Sequence, residues 1–223
     1  MHLSPTATAV LAIDLQNEYR PGALWAVEGY DTVLANAAAL MAAARAAGLS
    51  VFHAQASVAP AERDAYALQE ATISEDMRSA VEGSEGAAIC AEVAPHPGDE
   101  LVIKHWPSAF RETDLEARLR ARGIDTLVVA GVLTDSCVTG TVFDAVYAGF
   151  RVWLVKEACG SMTGHMHRTG MLDMANRLYG GGVLRQAAAV AAIGGAELQG
   201  WRCTRPVEFA FTAATVDALY DSL

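Results

Sequence analysis

The sequence predicts a three-layer α/β/α fold around a mainly parallel sheet. Three observations predict it. Short apolar runs rich in β-branched residues recur along the chain. Each is followed by a longer stretch with helical spacing. Gly, Pro and polar clusters punctuate the joins. Strand–helix–strand units of this kind place neighbouring strands parallel and cover both faces of the sheet. The 223 residues are 52% hydrophobic and 19% charged, a globular composition with enough apolar material for one substantial core, so a single domain over 1–223 is expected.

The elements follow in order. "TAVLAID" (8–14) reads as a strand. "DTVLANAAALMAAARAAG" (31–48) reads as an amphipathic helix, with Asp31 as its N-cap and Gly48 as its stop. "LSVFHA" (49–54) is a second strand. Residues 57–98 hold Pro60, Gly83, Gly86, Pro95, Pro97 and Gly98, and read as a long excursion with a helix near 61–80. "DELVIK" (99–104) is a third strand and "TDLEARLRARG" (113–123) a capped helix. "DTLVVAGV" (125–132) is a fourth strand, followed by a helix over "CVTGTVFDAVYAG" (137–149). "RVWLVKEA" (151–158) is a fifth, with a helix around 165–179. Residues 208–223 read as a short extended piece and a terminal helix.

Charge and composition exclude several classes of function. The formal net charge of −10 disfavours nucleic acid and anionic membrane surfaces as partners. No apolar run approaches the roughly 18 residues that span a bilayer. The start, "MHLSPTATAV", lacks the basic and apolar regions of a signal peptide, so a cytoplasmic location is expected. Cys90, Cys137, Cys159 and Cys203 form no Cys-x-x-Cys pair and read as free thiols in a reducing compartment. Of sixteen basic residues only Lys104 and Lys156 are lysines, which directs attention to chemistry that arginine cannot do.

Ligands of open parallel sheets bind beyond the carboxyl ends of the strands. The residues expected there are Asp14, His53, Lys104 and, in the turn after the fourth strand, Cys137. A carboxylate, an imidazole, an ammonium and a thiol on one rim are the constellation that nucleophilic catalysis needs. A thiol in the first turn of a helix, near an ammonium, has its pKa lowered, and the free N–H groups there can hold an oxyanion. Each residue also has an ordinary reading: a buried Cys is commonly a small hydrophobe, Asp a cap, Lys a solvated strand end, His a hydrogen-bonded rim residue. Tyr19, Trp25, Trp106 and Phe110 are candidates for the substrate-binding wall, with ordinary core packing as the alternative.

Three blocks, "AIDLQNEY", "VIKHWPSAF" and "GVLTDSCVTGTVFDAVYAGFRV", resemble the signature blocks of the isochorismatase-like cysteine hydrolases, in order and at the usual spacing. The third block, with Gly131, Thr134, Cys137, Val138, Asp144 and Gly149 in register, is the most specific. The resemblance covers about residues 8–195 and leaves 196–223 as an extension that could meet another subunit of a dimer or tetramer. It implies a six-stranded, Rossmann-like parallel sheet and a triad of Asp14, Lys104 and Cys137. It also implies a cis peptide between Val132 and Leu133, an oxyanion hole from the Leu133 and Cys137 N–H groups, and Tyr19 as an aromatic wall. Nicotinamidases of this superfamily carry an Asp-x-His metal motif near the second strand. Here "VFHAQASVAPAER" has His53 without it, so no metal and no other cofactor is expected, and nicotinamide is disfavoured.

The resulting expectation is hydrolysis of a C–N bond in a small amide, carbamoyl or ureido compound through a Cys137 thioester. The alternatives are a vinyl-ether hydrolase of the isochorismatase type and a small-molecule-binding homologue without turnover.

Overall fold

A computed structural model describes residues 1–59 and 79–223; the helix expected near 61–80 lies almost wholly outside them. The strands are β1 (Thr8–Ile13), β2 (Ser50–Ala56), β3 (Glu100–Lys104), β4 (Thr126–Val132), β5 (Arg151–Gly160), β6 (Gly182–Leu184) and β7 (Trp201–Arg202). The helices are α1 (Tyr30–Ala46), α2 (Leu115–Ala121), α3 (Thr139–Tyr147), α4 (Gly164–Ala175), α5 (Gln186–Ile193) and α6 (Val216–Asp221). None of the described helices is long and apolar enough to cross a membrane.

The sheet has the order β3-β2-β1-β4-β5-β6-β7, parallel throughout except for the antiparallel β7. Six parallel strands match the number expected, and the seventh is a two-residue edge piece. Apolar side chains fill both faces. Val10, Ala12, Val128 and Ala130 pack under α1 and α5, while Ala9, Leu11, Leu127 and Val129 pack under α2, α3, α4 and α6. Alternation along each strand thus feeds two cores and makes three layers.

Strand order reverses its direction of growth between β1 and β4, the switch point where parallel sheets open a crevice at their carboxyl ends. The two strands approach closely there. A methyl on Gly131 would stand 2.2 Å from the Ile13 carbonyl oxygen, and Gly131 has φ of 139°.

Several boundaries differ from the sequence reading. Asp31 is not the N-cap of α1; Gly29 is, and Asp31 sits in the first turn, where its charge meets the positive end of the helix. The helix expected over 137–149 is two pieces, a wide π-type turn over Thr134–Val138 and then α3. β6 and α5 were not anticipated because "GGGVL" reads as a turn. Its glycines serve close backbone contact instead: a Cβ on Gly182 would lie 1.9 Å from the Trp201 carbonyl oxygen.

Gly131→Ala is expected to cost on the order of 3 kcal/mol, because backbone rather than a flexible side chain blocks the new methyl. Gly149→Ala is the reference, since it also has positive φ but open space around its Cβ. The difference between the two urea midpoints reads the collision alone, and equal midpoints would show that β1 and β4 can part there at no cost.

Candidate active site

β1 leads into Asp14, which adopts the left-handed region at φ 50°. Two backbone bonds hold it there: its N–H donates to the Ala54 carbonyl, and its carbonyl accepts from the Gln16 N–H at 2.9 Å. The side chain is fully buried, and its Oδ1 accepts the Ala56 N–H at 2.9 Å. Gln16 completes this corner. Its Oε1 shares the Ala56 N–H, and its Nε2 donates to the Ala56 and Ala87 carbonyls at 2.9 and 2.7 Å.

β3 ends in Lys104, one strand beyond β2 and roughly 10 Å across the sheet from β1. Its long side chain closes that gap and is 1% exposed. The ammonium touches three groups: it donates to the Trp106 carbonyl at 3.0 Å and to Cys137 Sγ at 3.4 Å, and it pairs with Asp14 Oδ2 at 2.8 Å. The contact with Oδ2 is close but off hydrogen-bond alignment, so no donor is aimed along a lone pair of that oxygen. Burial opposes the charge on Lys104, but Asp14 and then Cys137 outweigh it and hold the pKa above its usual value.

The peptide between Val132 and Leu133 is cis. After it, the π-type turn closes when the Ser136 and Val138 N–H groups both donate to the Leu133 carbonyl. Cys137 rides on this turn, half-buried. Thr139 Oγ1 donates to the Thr134 carbonyl at 2.6 Å and couples the turn to α3. Behind it, Gly170 of α4 lets Asp135 approach to 3.1 Å of where a Cβ would stand, and Ser161 donates to Asp135.

The thiol differs electrostatically from the sequence expectation. Burial, reinforced by Asp14, pushes it up to about 12, and Lys104 only partly offsets this. A helix terminus and an ammonium were expected to lower it. The thiol instead sits in a desolvated turn ahead of α3, and the carboxylate beside it disfavours a second negative charge. Resting Cys137 is therefore a thiol with a proton acceptor nearby, not a preformed thiolate.

The other expected residues are placed as follows. Tyr19 is buried, and burial together with Asp14 raises its pKa far above the usual range, so it stays a phenol. Trp25 lines a cavity of about 510 Å³ with Glu18, Arg20, Val81 and Gly86; Asp14, Lys104 and Cys137 are not in its wall. The Trp106 indole donates to Glu112 at 2.7 Å beneath the Arg111 guanidinium. Phe110 rests on Phe150, 5.7 Å between ring centroids, and joins the core. His53 does not reach the rim. β2 runs on to Ala56, and the imidazole bonds Asp99 at 3.2 Å beside Arg45, level with the start of β3. Among the described residues no cluster of His, Cys, Asp or Glu could hold a metal ion. Gln16 was not singled out from the sequence, although it lies inside the first block.

Residues 8–188 match the isochorismatase domain model. The chain belongs to the isochorismatase family. It is 35% identical over 184 residues to a maleamate amidohydrolase of Pseudomonas putida, covering 81% of this chain and 84% of that one. It is 32% identical over 176 residues to an N-carbamoylsarcosine amidase of Arthrobacter sp, covering 76% and 65%. Among solved structures, an isochorismatase family protein from Desulfovibrio vulgaris superposes with a TM-score of 0.76 at 32% identity, over 84% of this chain and 98% of that one.

Two substitutions are expected to move the thiol in opposite directions. Asp14→Asn removes the charge that raises the Cys137 pKa, and Lys104→Ala removes the cation that lowers it. Iodoacetamide alkylation of Cys137 should begin at lower pH in the first variant and at higher pH in the second, relative to wild type. Coincident pH–rate curves would mean that the three groups do not share one field.

Proposed function

We infer that this protein hydrolyses a C–N bond of a small amide, carbamoyl or ureido compound, with Cys137 as nucleophile. One observation carries the reading: Lys104 Nζ stands 2.8 Å from Asp14 Oδ2 and 3.4 Å from Cys137 Sγ, joining a carboxylate and a thiol in a buried site. The names of the amidohydrolase and the amidase among its relatives agree with it.

Asp14 takes the Cys137 proton as sulfur attacks the carbonyl carbon. The exchange converts a carboxylate and a thiol into an acid and a thiolate, so net charge is unchanged, and Lys104 remains in contact with whichever partner is negative. The Leu133 and Cys137 N–H groups receive the oxyanion. As the tetrahedral adduct collapses, the C–N bond breaks and Asp14 returns its proton to the departing nitrogen. The remaining acyl group is a thioester on Cys137. Asp14, again a carboxylate, takes a proton from water, hydroxide adds to the thioester carbonyl, and the thiol leaves with that proton.

Ammonia release from a panel that includes maleamate and N-carbamoylsarcosine tests the reaction. Cys137→Ala is expected to lower turnover by a factor on the order of a thousand or more. Turnover of a vinyl ether that survives Cys137→Ala would overturn the reading. Lys104→Arg keeps the charge but not the compact shape that fits three groups, so its loss is expected to match Lys104→Ala, roughly a hundredfold or more. Activity is expected to survive exhaustive chelation, and recovery of a chelated, inactive enzyme with zinc or iron would restore a metal to the mechanism.

A further inference from the structure

The C-terminal segment lies beyond residue 188, where the family match ends, yet it is tied to the turn that carries Cys137. Asn176 clamps Phe209 through two bonds, its Nδ2 donating to the Phe209 carbonyl at 2.9 Å and its Oδ1 accepting the Phe209 N–H at 2.7 Å. Lys156 Nζ donates to the Tyr220 carbonyl at 2.6 Å and lies 3.9 Å from the centre of its ring. Arg168 pairs with Asp217 at 3.3 Å, and Val216 and Leu223 are buried. These contacts deliver the Tyr220 hydroxyl to within 2.9 Å of His167 Nε2. The other ring nitrogen, Nδ1, lies 2.8 Å from Thr134 Oγ1, and Thr134 opens the π-type turn three residues before Cys137.

The direction of every proton in this chain follows from the number of hydrogens available. Thr134 Oγ1 lies 2.9 Å from the Gly160 carbonyl, which can only accept, so the one hydroxyl proton of Thr134 is committed there. Thr134 must then accept from His167 Nδ1–H. Burial, with Arg168 and Lys156 alongside and only Asp135 opposing, depresses the His167 pKa to about 4, so the ring carries one proton at neutral pH. Nε2 is left with a lone pair, which the Tyr220 O–H fills. Each polar atom in the series has a partner, and one tautomer alone satisfies them all.

We propose that Tyr220 is a positioning residue for the nucleophile: by donating to His167 Nε2 it locks the Nδ1–H tautomer, which holds Thr134 on Gly160 and so fixes the turn that presents Cys137. The proposal rests on the reading of Cys137 as nucleophile. Without the tyrosine hydroxyl, the Nε2–H tautomer becomes accessible. Thr134 can then swing its proton from the Gly160 carbonyl to Nδ1, and the turn loses its anchor.

The test uses the full chain and iodoacetamide. In wild type, nitrogen-15 NMR of labelled histidine should show His167 neutral with Nδ1 protonated. Tyr220→Phe should show a mixture of tautomers and alkylate Cys137 roughly tenfold more slowly, the scale of a modest misplacement of a reacting group. Thr134→Val should slow alkylation similarly, and the double variant should be no slower than either alone, because both break one chain. An unchanged tautomer in Tyr220→Phe, or additive losses in the double variant, would overturn the proposal. Ammonia release by fully alkylated wild type would sink the nucleophile reading separately, because neither the tautomer nor the pattern of alkylation rates depends on turnover.

Discussion

Lys104 and Asp14 form an ion pair with almost no solvent contact, 1% and 0% exposed. Removing two charges from water costs several kilocalories per mole for each, and the loss is offset only where the geometry is close and the remaining polar atoms are satisfied. The geometry is close, and the neighbouring polar atoms are satisfied except Asp14 Oδ2, which touches the ammonium without an aligned donor. Asp14 Oδ1 takes a backbone proton, the ammonium touches three groups, and Gln16 ties the same corner to two carbonyls. The left-handed backbone at Asp14 and the tight crossing of Gly131 over Ile13 follow from the need to bring these strand ends together.

That pair also defines the resting state of the thiol. Burial is the largest cause of its raised pKa, and the carboxylate bound to the same cation adds to it and offsets what the cation would lower. Cys137 is therefore guarded from adventitious oxidation and alkylation, which require the thiolate. Under the mechanism proposed above, attack depends on a proton leaving for Asp14 at the moment a carbonyl arrives, which ties nucleophilicity to substrate binding.

Five strands and the three residues whose side chains meet at Lys104 were legible in the sequence because each rests on a local signal. The strands are apolar runs, and Asp14, Lys104 and Cys137 stand at or just past their ends inside recognisable blocks. What escaped depends on contacts between distant residues. The glycines of β6 look like a turn unless the neighbouring backbone is known. His53 reads as a strand end until β2 is seen to continue to Ala56, and its partner Asp99 comes from the turn before β3. The sign of the Cys137 shift required the depth of the thiol and the place of Asp14 beside it. His167 and Tyr220 are 53 residues apart and have no spacing that would pair them.

The place of Lys104 on β3 has a consequence for how this protein fails. Among the described residues β3 is the edge of the sheet, held by β2 on one side only, whereas Asp14 and Cys137 extend from the two central strands. Edge elements open at lower free energy than the centre of a sheet. Fraying of β3 withdraws the ammonium and admits water to the carboxylate while β1, β4 and β5 stay paired. With Lys104 in the role proposed above, heat or denaturant acts on two thresholds: inactivation, set by one peripheral strand, comes first, and cooperative melting of the sheet follows.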